Sequence, residues 1–145
     1  MPLRPSESPG FLLWHATLRW QRDVAQALAP LDLTHVQFVL LAGTWWLNRE
    51  GHRPSQVQLA EFAGTDVKMT SQVIRGLERK GLVEREVDPE DTRARRLRAT
   101  RRGARLAPRA IAVVERADAT FFEAVPVADA MELLRRLARL PEPAG

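Results

Sequence analysis

The chain has 145 residues, with 22 Lys and Arg against 18 Asp and Glu and a formal net charge of +4, which suits one domain with a modest core. It contains no cysteine, which excludes disulfides, thiolate metal sites and cysteine redox sensing. There is no run of about 18 apolar residues, and Met1-Pro2-Leu3-Arg4-Pro5 does not read as a signal peptide, so a cytoplasmic protein without a membrane partner is expected.

Two helices are expected first. Phe11, Trp14, Leu18, Ala25 and Leu28 fall on one helical stripe with Trp20 and Val24 beside it, and Pro30 stops the run. Thr34 and Gln37 have capping-box spacing and open a helix to about Asn48 that buries Val36, Val39, Leu40 and Leu47. Gly51 and Pro54 mark a loop. Ser55 and Gln58 repeat the capping box, after which Leu59, Ala60 and Ala63 face inward and Gly64-Thr65-Asp66 turns the chain.

The next helix carries the most information. Thr70, Val73, Ile74 and Leu77 stand at i, i+3, i+4 and i+7, a stripe facing a core. Lys68, Ser71, Gln72, Arg75 and Arg79 lie opposite, donors and cations suited to base edges and phosphates in a DNA major groove. A merely solvated amphipathic helix is the plainer alternative. Gly81 then ends the helix. Val83/Arg85/Val87 and Leu97/Ala99 alternate as half-buried strands do, joined through turn chemistry at Asp88-Pro89. Arg93, Arg95, Arg96 and Arg98 sit at or beside the hairpin tip, where arginine suits a narrow, negative minor groove. Asp91 is near enough in sequence to hold the Arg93 guanidinium in a bidentate pose.

Thr100 is a candidate N-cap for a helix reaching about Glu123 through Leu106, Ala110, Val113, Val114, Ala117 and Phe121. Pro108 is expected to bend it between Gly103 and Pro108. After Pro126, Ala128 to Leu140 forms a last helix with Met131, Leu134, Leu137 and Leu140 on a stripe. The Pro-rich ends, Met1 to Pro9 and Pro141 to Gly145, are expected to be loosely ordered.

Three segments carry a family resemblance: Leu77-Glu78-Arg79-Lys80-Gly81-Leu82-Val83, then Asp91-Thr92-Arg93, then Leu97-Arg98-Ala99-Thr100-Arg101-Arg102-Gly103. In that order they resemble the winged helix-turn-helix of the MarR (multiple antibiotic resistance regulator) family. The resemblance covers nearly the whole chain, because the flanking helices also fit in number and order. Ala99 departs from the pattern, which often has a larger apolar residue there. The resemblance implies a mainly α fold with a small β-wing in a single domain over 1–145. The winged helix-turn-helix would span about 34–100, flanked by dimerisation helices over about 10–29 and 101–140. It also implies a bacterial, homodimeric, ligand-responsive transcription regulator, here expected to be a repressor on a palindromic operator in double-stranded DNA. Lys68, Ser71, Gln72 and Arg75 fall where the family's recognition helix contacts DNA. Arg93 matches the wing arginine that enters the minor groove, and Asp91 the acid that positions it. Ser55, Gln56, Thr70, Arg79, Arg95 and Arg96 complete the expected contact set.

Charge distribution agrees with that expectation. Lys68 to Arg109 holds 13 Lys and Arg and 6 Asp and Glu, a net +7, leaving −3 for the rest, the footprint of a phosphate-binding surface. The outer helices carry Phe11, Leu12, Leu13, Phe121, Phe122, Leu133 and Leu137, more apolar surface than a small lobe hides alone. A two-fold dimer would bury them and set two recognition helices about 34 Å apart; terminal helices packed on each other within one chain are the alternative.

The resemblance also implies a small-molecule crevice between the dimer helices and the DNA-binding lobe. Trp14, His15, Arg19, Trp45, Trp46 and Arg49 are its candidate lining, suited to a flat aromatic or anionic ligand. Filling of the core or the dimer interface is the competing role for the tryptophans. Adjacent helical residues point roughly 100° apart, so only one of Trp45 and Trp46 can sit squarely in a core. His15, His35 and His52 are scattered without carboxylates or cysteines at ligand spacing, and no phosphate loop or nucleophile motif is present. No metal, cofactor or enzymatic activity is therefore expected. The rival function is a winged helix used for protein–protein contact, which does not need four arginines on its hairpin.

Overall fold

In the computed structural model residues 1–141 are described, and the expectation for Pro141 to Gly145 lies, beyond Pro141, outside them. Ser8 opens the first helix by accepting the Phe11 N–H at 3.3 Å, with Pro9 at the first position, where its missing donor costs nothing. Helix α1 runs Pro9–Leu28 and gives way to a 3-10 turn at Ala29–Leu31, where Pro30 stops it. Helix α2 (His35–Arg49) follows a full Thr34/Gln37 capping box, and α3 (Gln56–Ala63) a second one at Ser55/Gln58. Helix α4 (Val67–Arg79) starts on Asp66, whose carboxylate accepts the Met69 N–H at 2.8 Å. Gly81 sits at φ 71°, a left-handed conformation that favours glycine, and releases the chain into the wing. Strands β1 (Val83–Val87) and β2 (Arg95–Ala99) pair antiparallel, Val83 opposite Ala99 and Val87 opposite Arg95. Helix α5 (Arg101–Phe121) and, after a 3-10 turn at Phe122–Ala124, helix α6 (Val127–Ala138) complete the chain.

The core is a single cluster. Val24 and Leu28 of α1, Leu40 and Leu41 of α2, Leu59 of α3, Ile74 and Leu77 of α4, Leu97 of β2, and Ala107 and Ala110 of α5 meet there. The recognition-helix stripe is as expected, with Thr70, Ile74 and Leu77 buried and Val73 half-buried. Helix α2 buries Leu40 but also Leu41, Gly43 and Thr44, while Val36, Val39 and Leu47 are only half-buried, because α3, α4 and α5 all pack on it.

Exposure and element ends differ in places from the sequence pattern. The N-terminal half of α1 projects past the core, so Phe11 and Trp14 of the stripe are exposed, in keeping with more apolar surface on the outer helices than one lobe hides, and Ala25 near the other end of the helix is exposed too. Val87 is exposed at the outer end of β1, beyond reach of the core. Residues 5–7 form a 3-10 turn rather than loose chain. Helix α5 carries Pro108 inside its run, so the chain there stays helical, and α6 ends at Ala138 rather than Leu140, its side facing the body carrying Ala130 while Met131, Leu134, Leu137 and Leu140 are exposed.

The three helices α1, α2 and α5 meet at a polar clasp. Trp20 Nε1 donates to Asp118 Oδ1 at 2.8 Å, and the His35 ring stands edge-on to Trp20 with centroids 5.0 Å apart. Burial pushes the His35 imidazole below its ordinary value of 6.5, with Asp118 opposing. The unfolded chain therefore takes up this proton first, and stability falls as the pH drops through 6.5. Urea midpoints above and below that value should diverge in the native chain and diverge less in His35→Gln.

Candidate nucleic-acid interface

The helix-turn-helix is α3, the Gly64–Asp66 turn and α4. Lys68, Gln72, Arg75 and Arg79 are exposed on the side of α4 away from the core, and Ser71 is half-exposed. Arg75 reaches back to the Ser71 hydroxyl at 3.5 Å, which keeps both on one surface. Among the described residues none of the three cations Lys68, Arg75 and Arg79 has a carboxylate partner, so their charge is open to an external anion. Ser55 spends its hydroxyl capping α3, and the Gln56 side-chain nitrogen is buried without a partner among the described residues. Thr70 does not belong to this surface. It is fully buried, its hydroxyl bonded to Asp66 O at 2.8 Å and Thr65 Oγ1 at 2.7 Å, because it lies on the core stripe.

The arginines of the wing divide into two groups. Arg93 projects from the tip with its side chain 93% exposed. Its Nε lies 3.7 Å from one Asp91 oxygen, and that same oxygen accepts the Arg93 backbone N–H at 3.1 Å. Asp91 thus shapes the turn, and the expected bidentate pose is corrected, because the short sequence separation directs the carboxylate to the backbone. Arg95 donates to the Thr92 and Ala94 carbonyls at the tip.

Arg96 and Arg98 are committed to the wing's own frame. Arg96 donates to Asp88 Oδ2 and to Gln58 Oε1, both at 2.9 Å, tying the wing to the start of α3. Arg98 binds Glu84 and Glu86, and Arg53 also binds Glu86. The Glu90 N–H and the Arg96 side chain hold Asp88 below its ordinary 3.8, so this clasp stays charged at neutral pH and weakens only as strong acid protonates it.

Sequence reading missed Asp88, Gln58 and Arg53 as wing fasteners. Counting the hairpin register outward from Val83 would have set Asp88 near Arg96; the longer tethers had no local signal.

The six residues expected to line a crevice fall into two groups. Trp45 and Trp46 have ring centroids 6.5 Å apart, and the Arg49 guanidinium lies 5.0 Å from the Trp45 ring centre. Trp45 is half-buried and Trp46 exposed. Trp14, His15 and Arg19 are exposed on α1, with His15 edge-on to Phe11 at 4.5 Å. None of the six lines a described cavity. A groove of about 580 Å³ instead opens between α1, α5 and α6, with Leu13, Trp20, Phe121, Phe122, Met131 and Leu134 in its walls.

Comparison with known proteins places this architecture. The model of the MarR family matches residues 33–94. An uncharacterized HTH-type transcriptional regulator, YdcH, of Bacillus subtilis (strain 168) is 47% identical over 120 residues, covering 83% of this chain and 82% of that protein. The crystal structure of CouR from Rhodococcus jostii RHA1 bound to p-coumaroyl-CoA superposes with a TM-score of 0.81 at 28% identity, covering 99% of this chain and 100% of that one. The S. aureus MepR–DNA complex shares the fold, with a TM-score of 0.79 at 21% identity over 91% of this chain and 95% of that one.

Proposed function

The chain belongs to the MarR family of transcriptional regulators, and from that premise we propose that it is a cytoplasmic repressor that grips a palindromic operator as a homodimer. In this reading α4 lies in the major groove, with Lys68, Ser71, Gln72 and Arg75 toward base edges and phosphates, and Arg93 enters the flanking minor groove. The observation that carries it is the cationic face of α4, without a carboxylate partner among the described residues, beside an exposed Arg93 held at Asp91 of its own turn. The test is Arg75→Ala, which should cost roughly 1–3 kcal/mol of operator affinity while the chain stays folded. Unchanged affinity in a folded variant would remove α4 as the reader.

The wing adds a second test. Arg93→Ala should weaken binding most on operators with A·T-rich flanks, where a narrow groove favours an inserted guanidinium. Asp91→Ala should do the same in part, by loosening the turn that presents Arg93. Titrations on A·T- and G·C-flanked duplexes separate this from a plain phosphate contact, which would weaken both equally.

Dimerisation through α1, α5 and α6 is supported by the exposed Leu12, Leu13, Leu133 and Leu137 and by the apolar groove between those helices. Regulation by a small aromatic or anionic ligand is the remaining part of the reading. It draws support from the Trp45–Arg49 pair and from the p-coumaroyl-CoA bound by CouR.

A further inference from the structure

We infer that Asn48 is a positioning residue that sets the direction of the wing, and through it the minor-groove reach of Arg93. Asn48 stands in the last turn of α2, yet its side chain spans from that helix to the second wing strand. Its Nδ2 donates to Leu97 O at 3.2 Å and to His52 O at 2.9 Å, and its Oδ1 accepts the Ala99 N–H at 2.9 Å. Just before those two contacts along β2, the Leu97 N–H donates to Pro54 O at 2.8 Å. One amide therefore grips β2 on either side of Arg98, along the edge that β1 leaves unpaired, and also fixes the loop that supplies Pro54.

A lone two-stranded hairpin is marginal in water and has no fixed direction of its own. Here β1 secures only one side of β2. The fasteners nearer the tip, Arg53–Glu86 and Arg96–Gln58, are solvent-facing pairs that water and salt weaken. The Asn48 bonds are partly buried and sit at the base of the wing, where a small rotation becomes a large displacement at Arg93. The same turn of α2 carries Trp45 and Arg49, so any rotation of that turn is passed to β2 through one side chain.

The inference rests on the reading of Arg93 as a minor-groove contact, and the experiment keeps the two apart. A duplex selected by this protein from a random pool is rebuilt with A·T or G·C flanks and titrated with the native chain, Asn48→Leu, Arg93→Ala and the double variant. Leucine keeps the branched shape of asparagine without its hydrogen bonds. Asn48→Leu should lose the A·T preference to the same degree as Arg93→Ala, about tenfold for one lost groove contact. It should keep its G·C-flank affinity, and the double variant should lose no more than either single one. Should Asn48→Leu fail to fold, Asn48→Asp, which retains the acceptor for Ala99 but not the donors to Leu97 and His52, should show an intermediate loss of the preference. A flank preference retained in the folded Asn48 variants but lost in Arg93→Ala overturns the tether alone. No preference in the native chain overturns both readings.

Discussion

Gly103→Ala should be the most damaging small substitution in the chain. A β-carbon there would stand 2.0 Å from the Leu82 carbonyl oxygen, 2.9 Å from its carbon and 3.3 Å from Leu41 Cδ1. The first two are backbone atoms at the base of the wing, and the same carbonyl accepts the Thr100 N–H at 3.0 Å. Neither side can yield without prising the start of α5 from β1, and Leu82 and Val83 are core residues. The expected loss is about 3 kcal/mol or more, beyond ordinary overpacking of a side-chain contact, read as a fall in the urea midpoint. Gly10→Ala is the control, since nothing lies within 4 Å of the added methyl; its midpoint should stay in place. A Gly103→Ala midpoint equal to the control would mean that α5 is not seated on the wing as described.

The second large effect concerns assembly. Leu133 and Leu137 are 58% and 59% exposed on α6 in the single chain, so charged residues there should leave the winged lobe folded. If the proposed two-fold interface is built from this face, Leu133→Glu with Leu137→Glu should sediment as a monomer. Its operator affinity should drop by roughly 100-fold or more, because the second half-site is no longer held at high effective concentration. A native chain that is monomeric at micromolar concentration yet binds a palindromic duplex tightly would contradict the interface.

Local chemistry explains what could be read from the chain alone. Both capping boxes, the Gly64–Asp66 turn, the α4 stripe and the glycine after it depend on neighbours within four residues, and all stand where their spacing implies. Other features needed the fold. Phe11 and Trp14 of α1, and Leu134 and Leu137 of α6, have helical periodicity, which sets them on stripes but does not say whether the covering surface belongs to the same chain. Thr70 has a polar hydroxyl on a helix that also bears cations, and only its place on the stripe reveals that the hydroxyl turns inward to Asp66 and Thr65. The wing arginines were legible as a group but not as two functions. Separating Arg93 from Arg96 and Arg98 needed the strand register and the distant partners Gln58, Glu84 and Asp88. Asn48 was invisible for the same reason, since its partners in β2 lie 49 and 51 residues away.

The central claim is that the exposed face of α4 and the tip of the wing recognise a particular duplex sequence. The direct measurement is equilibrium binding of the native chain to a duplex it selects from a random pool and to a scrambled duplex of the same composition, across a salt series. The account predicts that both affinities fall with log salt as phosphate contacts are screened, while the selected duplex stays on the order of a thousandfold or more tighter throughout. Equal affinities for the two duplexes, or binding indifferent to salt, would contradict it and leave the winged helix as a surface for some other partner.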